Sequence, residues 1–515
     1  MQRALRKASF IALLCPAWLA AQQGTHSPAA AFHHATAPAR ATAIDTMALR
    51  AYTFFLSGDV LEGRAAGTRG ARAAALYIEA QLRRLGLEPA FRGHYRQDVP
   101  LAHFTVDDEQ TTLTVADRDT TVFRTGADFV IIGGARPAYR GFSGSLVFLG
   151  VPGTAMRHRD RGHSLDGRIV VLLGLPGMDA PSLVPDWIRR GAKGALLLVP
   201  DSVMWERFLS ERSNRHDFVD APVNDPIWQP RLPMVVAGPR VFRRVMAGVP
   251  VDVASLRGAK PFTPVPIGRN AQVRIQGMFA KTPGQNVGGV LPGSETARRD
   301  EYVAVTAHLD HLGIMPGLSP DSIFNGFSDD AAGVAMSLAM AESLQGGAPD
   351  RSVLFLYFTG EEKGLLGSTY YATVPAVPLH RMVAVVNLDA GAPPATSVQW
   401  RIAGGTVSTL GTLADSLVRA RGWVDTLSAP RPNADYWPFL ARGVPSIFPI
   451  PEKNWEGVSP ERRKELLDRF EHYHDPADEW HADFPFVGLL NYASLAEQIV
   501  RAAANAAPAP HITAP

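Results

Sequence analysis

The sequence predicts an α/β protein: a mixed, mainly parallel central sheet flanked by helices, with an inserted β-rich domain. Three observations carry that prediction. Four apolar runs in the last two-fifths of the chain, Tyr302–Ala307, Val353–Phe358, Met382–Leu388 and Ser446–Ile450, have the length and character of buried strands. An Ala/Met/Leu helix, Ala331–Leu344, stands between the first two. Strands alternating with helices are the mark of a parallel sheet. Between about Phe129 and Thr263 the texture changes to short strand-like runs separated by turns, with no convergent cluster of His, Asp and Glu.

At 515 residues the chain is long enough for two to four domains. Hydrophobic content of 46% and charged content of 19% suit a globular protein with a large core. A net charge of +2 gives no argument for a nucleic-acid partner or an anionic membrane surface. Arg3, Arg6 and Lys7 precede the apolar stretch Ala8–Leu19 and then Ala20-Ala21-Gln22. A basic start, a short apolar core and small residues at a cleavage point predict a secretory signal peptide over residues 1–21. The run is too short for a comfortable membrane span, which takes about 20 residues. No later stretch is apolar enough for stable membrane insertion. The only cysteine, Cys15, lies inside this leader. The mature chain is therefore expected to have no disulfide, no thiol nucleophile and no thiolate metal ligand. Export without disulfides fits a bacterial periplasm or the medium.

Residues 22–43, rich in Ala, His, Pro and Thr without periodicity, predict a disordered lead-in. Ile44–Leu56 reads as a helix. Ala71–Leu85, with Ala75, Ile78, Leu82 and Leu85 on one face and Gly86 as a stop, reads as an amphipathic helix. These elements place a first part of the α/β domain at 44–128. The β-rich insertion at 129–263 is expected to hold strands at Leu146–Leu149, Arg168–Leu173, Ala195–Val199 and Pro233–Val236, with a helix-like piece at Leu183–Arg190. The α/β domain resumes at 264–507 with strands at Ala271–Met278 and Asn286–Leu291, and closes on a helix from about Leu489 to Ala504. Residues 508–515 are expected to form a flexible tail.

Chemistry concentrates where the apolar runs end. His308 follows Tyr302–Ala307 in Ala-His-Leu-Asp-His, where Asp310 is a candidate acceptor for its second ring nitrogen. Asp329-Asp330 precedes the Ala331 helix. Asp is a favoured helix cap, so one acid can cap while the other bridges two cations. Glu361-Glu362 follows Val353–Phe358, with Gly364 and Gly367 allowing close backbone approach. Asp389 terminates the run Val383–Leu388, a costly place for an acid unless it is paired or metal-bound. His474 lies in the polar loop Glu471–Asp478 after the fourth run. Residues beyond the carboxyl ends of strands in an open α/β sheet converge on one crevice. His308, Asp329, Glu362, Asp389 and His474 suffice for two divalent cations, which leaves Glu361 free as a base. Imidazole and carboxylate donors favour zinc.

The segments Ala307-His308-Leu309-Asp310, Asp329-Asp330-Ala331-Ala332-Gly333, Glu361-Glu362-Lys363-Gly364-Leu365-Leu366-Gly367-Ser368, Asn387-Leu388-Asp389 and Tyr473-His474 resemble the M28 family of zinc metallopeptidases. The resemblance covers roughly Leu61–Ala90 and Gln285–Ala504 and implies the zinc-dependent exopeptidase fold. It implies one zinc held by His308, Asp389 and Asp329, and a second by Asp329, Glu362 and His474. It also implies Glu361 as general base, Asp310 orienting His308, and Tyr473 helping to stabilise the oxyanion. Asn433–Phe439 resembles the family's substrate-side Ser-Asp-His-Pro-Phe segment, with Tyr436 where a histidine is usual. The insertion is similar to the protease-associated (PA) domain at Gly167–Val171 and Arg190–Gly194. The implied activity is hydrolysis of peptide bonds, most often release of N-terminal residues. A carboxypeptidase of the same family would share the metal site. A glutaminyl cyclase-like acyltransferase and a receptor-like protein without activity are further alternatives. The expected partner is a peptide substrate, with no nucleic acid.

Overall fold

Fully apolar strands need both faces of their sheet covered, and this chain meets that need with helices. The computed structural model describes residues 43–133, 137, 140–151, 164–174, 190–210, 213–221, 234–251, 264–315 and 320–513. The leader, the lead-in up to residue 42 and nearly all of the Leu183–Arg190 piece lie outside the described residues.

A nine-stranded sheet runs in the order Glu88–Pro89, Gly284–Leu291, Ser352–Phe358, Tyr302–His308, Met382–Asn387, Ser446–Pro451, Gln399–Ala403, Val424–Ser428, with Arg96–Val99 also paired to Gly284–Leu291. The four runs expected as strands form its centre and are mutually parallel. Gly284–Leu291 adds antiparallel on one side and Gln399–Ala403 on the other. The fold is therefore the mixed, mainly parallel α/β sheet that the sequence predicts. Ser352–Phe358 is buried at every residue, as a central strand covered on both faces must be.

Helix Ala332–Leu344 is buried at all positions but Glu342, consistent with its apolar content all round. Helix Val487–Asn505 contributes Leu489, Tyr492, Leu495, Ile499 and Val500 to the same core as Val303, Val305 and Val386 of the sheet. Helix Thr46–Leu56 starts at Asp45, whose side chain accepts from Met47 N. Helix Arg69–Arg84 starts at Thr68, which accepts from Ala71 N.

The second, eight-stranded sheet orders Thr120–Arg124, Thr112–Ala116, Val265–Arg274, Gly141–Phe148, Arg168–Leu173, Gly194–Leu198, Met234–Ala237 and Phe129–Gly133. A three-stranded sheet of Arg215–Val219, Leu101–Val106 and Gly277–Lys281 accompanies it. Paired strands thus extend the β-rich layer well beyond the expected 129–263. Strands from 101–124 and 265–281 join it, because partners in a sheet are set by hydrogen bonding across long sequence separations, which local texture does not register.

The expected flexible tail is also corrected. Ser408 bridges Ile512, Thr409 N donates to His511 O at 2.9 Å, and Thr513 N donates to Val407 O at 2.9 Å. Ile512 packs on a small apolar cluster that includes Tyr436 and Phe448. Backbone pairing holds residues 511–513 to the segment around Val407–Thr409. Among the described residues, no helix is long and apolar enough to cross a membrane.

Candidate metal centre

Three of the central parallel strands deliver their ligands at their carboxyl ends. His308 is the last residue of its strand, Glu361 and Glu362 follow Ser352–Phe358, and Asp389 follows Met382–Asn387. Asp329 arrives from the turn before helix Ala332–Leu344, where the Asp329–Asp330 peptide is cis. His474 comes from a loop after helix Pro460–Phe470, which separates it from the fourth strand.

All five expected ligands meet. His308 Nε2 lies 2.9 Å from Asp329 Oδ1 and 3.2 Å from Asp389 Oδ1. His474 Nε2 lies 3.0 Å from Asp329 Oδ2 and 3.2 Å from Glu362 Oε2. The two oxygens of Asp329 thus face two different imidazoles, the placement a bridging carboxylate needs. His308 is 1% exposed and Asp329 6%. So many carboxylates out of water are costly without a cation, and Glu362 Oε1 is buried with no hydrogen-bond partner. The donor set fits two divalent ions.

The supporting residues act partly as expected. Asp330 Oδ1 accepts from Gly333 N at 3.0 Å and Oδ2 from His308 N at 3.1 Å, so it both caps the helix and braces the His308 strand. For Asp310 the contact differs from expectation. His308 Nδ1 meets the Asp310 main-chain carbonyl at 3.0 Å, while the carboxylate accepts from Glu361 N at 3.2 Å. A carbonyl two residues on satisfies the ring nitrogen equally well, and this frees the acid to hold the Glu361 backbone. Tyr473 stacks on His474 with centroids 3.9 Å apart and stays 71% exposed. Tyr436, in place of the usual histidine, is fully buried. Its hydroxyl donates to Arg431 O at 2.8 Å and accepts from Arg431 N at 2.7 Å.

Electrostatics separates the roles. Burial pushes the Glu361 carboxyl well above the usual range, and the nearby Asp389, Asp435 and Glu362 charges reinforce that against His308. Burial would raise Glu362, yet His311 and His474 hold it down at about 2. Burial would lower His308, but Asp389 and Asp329 hold it well above the ordinary imidazole value. The two adjacent glutamates are thereby driven apart, one toward a proton carrier and the other toward a permanent anion.

Four residues of the site went unassigned in the sequence. His311 is fully buried beside Glu362. Asp478 accepts from Ser328 N at 2.9 Å and Asp329 N at 3.2 Å, tying the bridging acid to the His474 loop. Arg64 is 1% exposed. It donates to the carbonyls of Leu56, Leu309 (3.1 Å), Asn325 (2.6 Å) and Gly326 (3.0 Å), joining the loops that carry His308 and Asp329. Asp435 is 1% exposed, and burial near Asp389 and Asp310 raises it to about 8 against His308. The repeated acids of Asp475–Asp478 and the Gly63-Arg64 turn were visible signals, but neither says where its side chain goes.

Residues 286–486 match the model of peptidase family M28. Over 126 residues the chain is 32% identical to a probable zinc metalloprotease of Pyrenophora teres f. teres, covering 22% of this chain and 26% of that protein. Over 112 residues it is 31% identical to aminopeptidase YwaD of Bacillus subtilis, covering 22% of each. The chain thus spans about a quarter of the length of these curated relatives. An aminopeptidase from Aneurinibacillus sp. strain AM-1 superposes with a TM-score of 0.52 at 19% identity, over 90% of this chain and 95% of that one, a likeness of fold. The mixed sheet with acids and imidazoles at its carboxyl edge defines an α/β fold with a candidate metal site. Through the 286–486 segment, the chain is similar to peptidase family M28.

Proposed function

We propose that the protein is a secreted di-zinc exopeptidase, an aminopeptidase releasing N-terminal residues. The observation that carries this is Asp329, with one oxygen toward His308 and the other toward His474, between two donor sets built from buried acids. Relatives matching parts of the chain are named zinc metalloprotease and aminopeptidase, which supports both the metal and the reaction.

Two zinc ions held by His308, Asp389, Asp329, Glu362 and His474 would lower the pKa of an attacking water and polarise the scissile carbonyl. Glu361, its proton affinity raised by burial, takes the water's proton and passes it to the leaving amine. Asp310 fixes the start of the Glu361 turn through its hydrogen bond to Glu361 N. Tyr473, exposed beside His474, offers its hydroxyl to the developing oxyanion. In this reading the β-rich layer, with strands between Leu101 and Lys281, is an inserted PA-like domain. The leader at 1–21 would direct export to the periplasm or the medium.

Glu361→Gln tests the base role. The variant is expected to keep its zinc by elemental analysis and to lose hydrolysis of aminoacyl substrates by about 100-fold or more. Near-normal turnover removes Glu361 from the mechanism. Cleavage only of N-blocked peptides with a free carboxyl end would replace aminopeptidase by carboxypeptidase.

A further inference from the structure

We propose that His311 is itself a metal ligand. With Asp329, Glu362 and His474 it makes a closed four-donor site, and His308, Asp389 and Asp329 form an open three-donor site. The inference rests on the two-ion reading above and makes the two positions unequal.

His311 is buried to 0% exposure, and its Nδ1 lies 2.7 Å from Glu362 Oε1 and 3.7 Å from Asp329 Oδ2. At 2.7 Å, Nδ1 and Glu362 Oε1 form a close ion pair without the alignment of a hydrogen bond. Two polar atoms this close without N–H···O alignment stand as donors do when both face a third body. His474 Nε2 closes the group at 3.0 Å and 3.2 Å from the same two acids, and the four donor atoms all lie within 4.8 Å of one another. Around a tetrahedral zinc with bonds of about 2.0–2.1 Å, donors sit about 3.3 Å apart. The observed spacings of 2.7–3.7 Å bracket that value.

The ring is held in this pose. His311 N donates to Arg64 O at 3.2 Å, and its ring meets His474 edge-on at 5.7 Å between centroids. Gly326, at φ +61, lies against it, and a Cβ there would come within 2.6 Å of the ring. Four protein donors close a zinc site, whereas three leave a position for water or substrate. The exchangeable position therefore belongs to the His308 and Asp389 side of the centre.

X-ray absorption at the zinc edge of the full-length, zinc-loaded protein counts imidazoles without any substitution. Three per two zinc ions are expected, from His308, His474 and His311; two overturn the proposal. In parallel, metal-free His311→Ala and His311→Gln are titrated with zinc and their metal content is measured after dialysis against chelator. One ion is expected to bind as in the wild type and the other more than about 100-fold more weakly, beyond the 10–100-fold typical of a residue that only orients a ligand. Retention of both ions at wild-type affinity overturns it. A chain with three imidazoles that cleaves no peptide keeps this assignment and loses the peptidase reading. A peptidase with two imidazoles does the reverse.

Discussion

The acids around His474 set the protonation with which it meets a metal. Burial would lower this imidazole, but Asp329 and Glu362 raise it to about 10 from the ordinary 6.5. Its pairing with those acids therefore stabilises the metal-free fold fully below about pH 6.5 and is lost as the pH climbs through about 10. The melting temperature of the chelated protein is expected to fall across that window; a flat or rising profile refutes the pairing. At pH 7 zinc must displace the proton, so calorimetry in buffers of different ionisation enthalpy should show net proton release on binding. Arg64 acts behind the ligands. Arg64→Met would strand four buried carbonyls and is expected to cost at least about 2 kcal/mol in urea unfolding of the metal-free protein. An unchanged midpoint would show that water replaces the guanidinium. His308, Glu362 and Asp389 were legible as candidates in the sequence because an acid or imidazole at the end of a buried strand is costly unless it has a purpose. His311, Arg64 and Asp478 carry no such local cost, so only their contacts reveal them.

Strands and helices are positioned by close approach as much as by apolar pattern. At Gly333, in the first turn of Ala332–Leu344, a Cβ would lie 2.0 Å from Leu388 O and 2.2 Å from Asp330 Oδ1. Gly333→Ala should therefore push the helix off both the Asp389 strand and the capping acid, at a cost of about 1–3 kcal/mol with weakened zinc binding. Chemical denaturation with a metal titration checks both, and wild-type behaviour in each would mean the helix shifts freely. The central strands were legible from their unbroken apolar runs. Gln399–Ala403 and Val424–Ser428 were not, since their alternating burial and exposed edge residues lack that signal. The extent of the second sheet was missed for a related reason: Thr112–Ala116 and Val265–Arg274 are adjacent only through their pairing.

At the scale of the whole molecule, export and catalysis draw on different parts of the chain. If the basic and apolar start is a leader, mass spectrometry of the exported protein should find a mature N-terminus at Gln22; a retained Met1 would remove the secretory reading. The sequence by itself determined the fold class and the strands at whose ends the candidate donors stand. Strand periodicity and the cost of ending an apolar run on an acid are both local properties. Only the tertiary structure decided how the donors group around Asp329, that Asp310 braces Glu361 with its carboxylate, and that His311 faces the second set. Those outcomes depend on distances of about 3 Å between side chains up to 145 residues apart, Asp329 and His474, which sheet order and loop return fix and no local pattern encodes.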